Sequence, residues 1–369
     1  MQAPPAILVV GAFGIFGRTL VHDLLRHGAC RVHAGGRGRS NMTKLLRGVE
    51  PAQRERITPV LCDIRDLRSV ASALTNVSAA VCAAGPYQGM PLNLLDACQR
   101  RGLPYLDLAD DRGFVRRARA AVSPEGAPAG VGWSTAPALS ALLARLAAEG
   151  LETIEEIQIQ LAPGSRGPRG AATLSSFLDS LAKPFTVWRE NGWRRVLGWS
   201  QPRTFCFPPP IGPREGFLVD VPDHDLLPPL FRAGRVEFRA GAEIRACNRA
   251  ASAMAWLSNN YALEWDWGAE LFQRLLSLIS SLGTEAGALG VELVGIKKGA
   301  KIRRTVALSA ERAGECIPVL PAAVMAPRLL SGQAAFRGLL PLDRWLGRAE
   351  LEEECRKRGL TLSFAEAAA

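Results

Sequence analysis

Three glycines spaced three apart, Gly11, Gly14 and Gly17, follow directly on the apolar run Ile7-Leu8-Val9-Val10. Helical periodicity takes over at once in Arg18-Thr19-Leu20-Val21-His22-Asp23-Leu24-Leu25. A strand that turns sharply into a helix points backbone N–H groups and the positive end of the helix dipole at one place, and that place binds a phosphate or pyrophosphate. Gly11 would permit the tight turn, Gly14 the close approach of phosphates and Gly17 the packing of helix on strand. Phe13 and Ile15 complete the expected contact set of the turn. The spacing G-x-x-G-x-x-G departs from the usual G-x-G-x-x-G, so the weight rests on the strand–turn–helix context. A purely structural turn is the competing reading.

The end of the next strand decides which dinucleotide would suit this turn. Cys30-Arg31-Val32-His33-Ala34-Gly35 lies about 20 residues beyond the glycines, where NAD-selective sites place an Asp or Glu on the ribose 2′-hydroxyl. Here the chain reads Gly35-Gly36-Arg37-Gly38-Arg39-Ser40, with two guanidiniums, a hydroxyl and no carboxylate. Guanidinium forks match a phosphate dianion. NADP(H) is therefore favoured over NAD(H), with Arg37 as the first ligand of the 2′-phosphate and Arg39 and Ser40 as helpers. A solvated basic loop is the plainer alternative. Asp63 ends the third strand, where an acid often lies near the adenine. The fourth strand ends in Ala83-Ala84-Gly85-Pro86-Tyr87, and ligands of open α/β sheets bind beyond the carboxyl ends of the strands. Ala84, Gly85 and Pro86 are thus expected to flank the nicotinamide half.

Acid–base groups are harder to assign. The Y-x-x-x-K pair of short-chain dehydrogenases is missing: four residues after Tyr87, Tyr105 and Tyr261 stand Pro91, Ala109 and Trp265. Three candidate catalytic residues stay open, each with a plainer role. Tyr87 could donate a proton near the nicotinamide or simply pack. Asp107, with Asp110 and Asp111, ends the fifth strand on the correct edge for a polar site, or caps a helix. His224, in Asp220-Val221-Pro222-Asp223-His224-Asp225, could shuttle a proton at neutral pH or lie in a surface loop. Lys297, Lys298 and Lys301 read as a charged hairpin rather than a catalytic set.

These residues need a scaffold, and the first 110 or so positions supply one by alternating strands and helices. Strands are predicted at 6–10, 30–35, 58–62, 79–83 and 104–108, with helices near 15–27, 41–48, 66–75 and 90–101. Crossovers of that kind build a parallel α/β sheet. Beyond residue 135 the alternation is lost. A helix is predicted at 137–148 and strands at 154–161, 217–221, 235–239, 291–296 and 302–309. A hairpin over 185–196 is expected to turn at Asn191-Gly192. Helical pieces are predicted near 171–182, near 269–282 and in the tail beyond about 320.

At 369 residues the chain can hold two domains. No apolar run reaches the roughly 18 to 20 residues of a membrane helix, and the apolar start reads as the first strand rather than a secretory leader, so a cytoplasmic address is expected. The net charge of +10 is not gathered into any nucleic-acid-binding motif, so no specific nucleic-acid partner is expected. Eight cysteines without C-x-x-C spacing and only four histidines give no metal-site pattern.

Gly85-Pro86-Tyr87, Gly89, Pro91-Leu92, Asp96-Ala97-Cys98, Gly102 and Tyr105-Leu106-Asp107 together resemble the saccharopine dehydrogenase family. The likeness is to its saccharopine reductase-like, trans-acting enoyl reductase-like branch, and the glycine turn and Gly36-Arg37 fit it too. Weaker similarity runs through Phe207-Pro208-Pro209-Pro210-Ile211-Gly212, Val236 to Gly241 and Gly295 to Gly299. The resemblance implies an α/β Rossmann domain, a doubly wound parallel sheet, followed by an α+β domain whose mixed sheet closes over the nicotinamide. The expected boundaries are 1–132 and 133–321, with 322–369 packing back on the first domain. The reading that results is an NADP-dependent oxidoreductase moving hydride to or from a C=N, C=O or activated C=C bond of a small molecule. A non-catalytic redox sensor and a synthase that uses the bound cofactor transiently are the alternatives. A homodimer stays open.

Overall fold

Ala6-Ile7-Leu8-Val9-Val10 is buried at every position, which is what a strand covered on both faces requires. In the computed structural model, which describes residues 5–38, 41–166, 183–261, 283–331 and 336–369, this strand (β1) lies inside a six-stranded sheet. Its neighbours are β2 (Arg31–Gly36), β3 (Ile57–Leu61), β4 (Ala79–Cys82), β5 (Tyr105–Asp107) and β6 (Ala129–Gly130), in the order β3-β2-β1-β4-β5-β6. Every adjacent pair is parallel. This is the doubly wound Rossmann order, with the reversal of strand order between β1 and β4. The crossovers carry α1 (Ile15–His27), α2 (Met42–Leu46), α3 (Pro51–Arg54), α4 (Leu67–Ala73), α5 (Asn93–Arg101) and α6 (Arg112–Ala121). Leu20 and Leu24 of α1 and Leu94, Leu95 and Cys98 of α5 are buried, as are Ile7, Leu8 and Val9 of the sheet.

The chain divides into two compact units, residues 1–139 with 318–345 and residues 140–317 with 346–369. The tail therefore splits. Its first part belongs to the Rossmann unit, where the N–H groups of Ala129 and Leu340 donate to the carbonyls of Gly338 and Ala129, and the Trp345 indole donates to the Ala138 carbonyl at 3.2 Å. The last 24 residues belong to the second unit.

That second unit is built on a nine-stranded mixed sheet. Its path runs through β10 (Arg203–Cys206), β11 (Pro213–Leu218), β12 (Arg235–Ala240), β7 (Thr153–Ala162), β13 (Gly287–Lys297), β14 (Ala300–Ala310) and β15 (Thr361–Ala368), with the β8–β9 hairpin (Pro184–Arg189, Gly192–Leu197) beside β12. Only β12 and β7 run parallel. Helices α7 (Ser140–Ala148) and α8 (Asp223–Phe231) pack on it. Helices α9 (Arg245–Tyr261), α10 (Cys316–Leu330) and α11 (Arg348–Lys357) complete the described elements.

Several expectations shift. The predicted helix at 137–148 is a π-helical turn at Thr135–Leu139 followed by α7. In the β8–β9 hairpin the two left-handed residues are Glu190 (φ 50°) and Asn191 (φ 54°), so Gly192 opens the second strand instead of sitting in the turn. Type I′ geometry needs positive φ at both central positions, and pairing of Arg189 with Gly192 sets that place one residue earlier than Asn-Gly implied. The helices expected at 171–182 and 269–282 lie outside the described residues. None of the eight cysteines is in a disulfide; burial pushes the Cys62 thiol up to about 11 and those of Cys82 and Cys98 to about 12.

Candidate functional site

At the carboxyl edge of the Rossmann sheet the three glycines do three different things. Gly11 has φ +84°, and a Cβ there would stand 2.6 Å from the Ala84 backbone nitrogen. The turn can therefore lie directly against the loop after β4, while its N–H bonds to the Gly35 carbonyl at the end of β2 at 2.9 Å. A Cβ on Gly17 would stand 2.0 Å from the Gly11 carbonyl oxygen, so α1 sits on the turn with no room for a side chain. Gly14 differs from both: it is exposed, and its Cβ would touch only the Gly11 oxygen, at 3.3 Å. As N-cap of α1 it offers no side-chain acceptor to the first-turn N–H groups, and no acidic residue lies in that turn. Those N–H groups and the dipole are thus left to an outside anion.

Around this turn the structure gathers most of the residues expected to hold a dinucleotide. Phe13 lies on Gly36, where a Cβ would meet the ring at 2.5 Å. Arg37 follows β2 and is exposed. The carbonyl of Gly36 accepts from Cys62, bringing the ends of β2 and β3 together, and Asp63 is half-buried just beyond. Its carboxylate accepts from the Arg65 N–H at 3.0 Å, and its own N–H donates to Ser69. Gly85 and Pro86 are exposed after β4. Arg39 and Ser40 lie outside the described residues. One contributor went unnoticed in the sequence: the Asn93 amide, at the start of α5, donates to the Ile64 carbonyl at 3.0 Å and holds the loop after β3. Nothing local marks it, because its partner is 29 residues away. The Rossmann unit also carries nearly all the net charge, with 20 Lys and Arg against 11 Asp and Glu, while the second unit has 25 against 24.

The three catalytic candidates are placed otherwise. Tyr87 is buried; its hydroxyl donates to the Cys82 carbonyl at 2.7 Å and accepts from the Leu108 N–H at 3.1 Å. It ties the ends of β4 and β5 together, its ring 5.1 Å from Phe114. Burial raises its pKa well above 10, and its hydroxyl is engaged by those two backbone groups. Asp107 is fully buried, and its carboxylate accepts from Gly132 at 2.7 Å and Ala109 at 3.0 Å. It fastens the end of β5 to the segment before α7. Asp111 proves to be the helix cap, accepting from Phe114 at the start of α6. His224 is in no surface loop: it is fully buried in α8 of the second unit, its ring nitrogens 3.3 Å and 3.1 Å from the carbonyls of Val236 and Val219. Lys297 and Lys301 pair with Glu366 and Glu155 on the β13–β14 hairpin, as a charged hairpin would.

Two buried carboxyls carry a pH signature. Burial raises Asp107 from 3.8 to about 6 against the two N–H groups, and Asp223 from 3.8 to about 7 against the Ser140 hydroxyl that donates to it. The folded chain then binds more protons than the unfolded chain over those windows, so both groups make stability fall as the pH rises through them. Urea unfolding across the range should show that fall, and Asp223→Asn should reduce its slope. An unchanged slope in the variant would contradict the assignment.

Fold and turn define a class: a two-unit α/β chain whose first unit is a Rossmann dinucleotide-binding domain. Residues 7–139 match the family model for the saccharopine dehydrogenase NADP binding domain. The whole chain has the fold of the apo, histidine-tagged saccharopine dehydrogenase (L-Glu forming) from Saccharomyces cerevisiae. The TM-score is 0.71 at 12% identity, over 99% of this chain and 100% of that one. A short-chain dehydrogenase from Burkholderia cenocepacia in complex with NADP matches over 29% of this chain and 54% of its own, at 24% identity and a TM-score of 0.22. No curated protein matches the chain in sequence. The domain match marks residues 7–139 as a nicotinamide-cofactor-binding domain of an oxidoreductase, and the structural likeness shows the shared fold. Among the described residues no helix is long and apolar enough to cross a membrane, and no group of three or more His, Cys, Asp or Glu could hold a metal ion.

Proposed function

We propose that this chain is an NADP(H)-dependent oxidoreductase acting on a C=N, C=O or activated C=C bond of a small molecule. The observation that carries the reading is Gly14: an exposed glycine capping a 13-residue helix whose first-turn N–H groups have neither a side-chain cap nor an acid beside them. The pyrophosphate fits against the N–H groups of the α1 start. Arg37, exposed just past the end of β2, faces the 2′-phosphate. Leu61, 67% exposed at the end of β3 and paired with Gly36, offers the adenine an apolar surface next to Asp63. Ala84, Gly85 and Pro86 lie at the switch point between β1 and β4, the place for the nicotinamide. The bound cofactor supplies the hydride; the chain's part is to hold it and to present one face of the ring.

Arg37→Ala should weaken NADPH binding by about 1.5–3 kcal/mol, the worth of a charged hydrogen-bond pair, and leave NADH binding nearly unchanged. Titration of both cofactors checks this, and equal losses would remove Arg37 from the 2′-phosphate. Oxidation of NADPH against a panel of imines, keto acids and enoyl compounds tests the reaction itself. The burial of Tyr87 and Asp107 favours one second reading, a dinucleotide-binding redox sensor. Tight NADPH binding without turnover on any of the panel would decide for it.

A further inference from the structure

Trp193 and Leu230 are 46% and 42% exposed, and the structure brings them to one corner of the second unit. Trp193 of β9 stands directly opposite Trp188 of β8, the two rings 5.2 Å apart and edge to face. The Trp188 indole donates to the Ala233 carbonyl at 2.9 Å, and the Asn191 N–H at the hairpin turn donates to the Gly234 carbonyl at 3.1 Å. Ala233 and Gly234 lie between the end of α8 and the start of β12, so the hairpin tip is tied to the helix end that carries Leu230. Single exposed apolar side chains are ordinary on a surface; a joined set with a polar rim marks an interaction site. The rim here is cationic. Arg194 pairs with Glu190 at 3.1 Å, and Arg235 lies 4.0 Å from Glu237. Arg195 shares a strand face with Trp193, and Arg232 is two residues past Leu230. Both are exposed, and among the described residues no carboxylate pairs with either.

We propose that this corner docks on the surface of an anionic membrane, with Trp193 and Leu230 entering the headgroup layer and Arg195 and Arg232 taking lipid phosphates. An indole settles at the membrane–water boundary because it joins a large apolar ring to a polar N–H. Guanidinium forks match phosphate oxygens, and each cation near an anionic leaflet adds to the attraction. Charge complementarity alone would also admit single-stranded nucleic acid, which is held by bases stacked on aromatic rings. Leu230 offers no such platform, whereas a leucine beside a tryptophan suits the acyl boundary. A stable protein partner would bury about 800 Å² on each side, a broad face rather than the hairpin turn and helix end found here. Docking of this kind lays the chain on a membrane, not through it.

Flotation of the full-length chain with vesicles of phosphatidylserine and phosphatidylcholine in equal parts tests this. The chain should float with those vesicles, stay in solution with pure phosphatidylcholine, and let go as salt is raised. Arg195→Gln and Arg232→Gln should each weaken vesicle binding about fivefold. Trp193→Ala combined with Leu230→Ser should weaken it about tenfold or more, with circular dichroism and thermal unfolding as in the wild type. The Rossmann unit carries most of the net charge, so Arg100→Gln with Arg101→Gln, both exposed on α5, is the control. It should change binding by less than about twofold, because charges beyond a Debye length of the contact are screened. No binding to the anionic vesicles, binding that the Trp193 and Leu230 changes leave unaltered, or an equal loss in the α5 control would each overturn the proposal. So would tighter, Trp193-dependent binding to a single-stranded oligothymidylate, which would give the corner to nucleic acid. Should the Trp193 and Leu230 variant fail to fold, the two arginine variants decide, and unchanged binding in both would overturn the proposal.

Discussion

Gly14→Val is expected to abolish binding of NADPH and NADH alike, by about 100-fold or more, a loss of at least about 2.7 kcal/mol, in a chain that stays folded. Gly14 has φ −73° and ψ 176°, extended backbone that valine adopts readily. Its Cβ would need only a few tenths of an ångström from the Gly11 oxygen at 3.3 Å. What the side chain would fill is the space in front of the α1 N-terminus, where the phosphates must come. Fluorescence titration of both cofactors, with thermal unfolding as the control for folding, measures the effect. Unchanged affinity in a folded variant would falsify the placement of the pyrophosphate. Gly17→Ala makes the contrast: its Cβ would lie 2.0 Å from a backbone oxygen, so that variant should lose stability before it loses anything specific to the cofactor.

Glu237→Ala is expected to cost the fold about 3–5 kcal/mol, the scale found when one partner of a buried ion pair is removed. Glu237 lies on β12 with its side chain 3% exposed, between Arg239 at 7% and Arg189 at 18%. Arg239 donates to it at 2.8 Å, Arg189 donates from the other side, and the Gln158 amide of β7 donates at 2.9 Å. Burial alone would raise its pKa, yet Arg239, Gln158 and Arg189 pull it below its ordinary value. Removing the carboxylate leaves two guanidiniums inside the unit without their counter-charge. Chemical denaturation measures the loss. Glu352→Ala serves as the comparison, since its pair with Arg348 is 41% and 53% exposed and should be worth under about 1 kcal/mol. Similar losses in the two variants would show that the β12 network is not a structural centre of the second unit.

The Rossmann unit was largely legible because its signals are local. A strand buried on both faces announces itself as an unbroken apolar run, as in β1, and the crossover helices follow within a few residues. The distinct jobs of Gly11 and Gly17 follow from the same short stretch. Elsewhere local propensity misled. Thr361–Ala368 is rich in Ala and reads as part of a helical tail, but eight backbone partners on β14 make it a strand; tertiary pairing outweighs a weak intrinsic preference. No element is predicted over Asp223–Phe231, which contains Pro228-Pro229, yet it is a helix that buries Leu227 and His224.

By itself the sequence determined the nucleotide-binding frame. The glycine turn, the Arg at the end of β2 and the small residues after β4 lie next to the elements that position them, so their spacing carries the geometry. The tertiary structure decided the burial and the partners of the candidate reactive side chains. Tyr87, Asp107 and His224 have the right chemistry on paper, but their partners are backbone groups of Leu108, Gly132 and Val236. Which partners a hydroxyl, carboxyl or imidazole meets depends on how distant segments pack. Burial and hydrogen bonding between distant segments set that, and no short stretch of sequence records it.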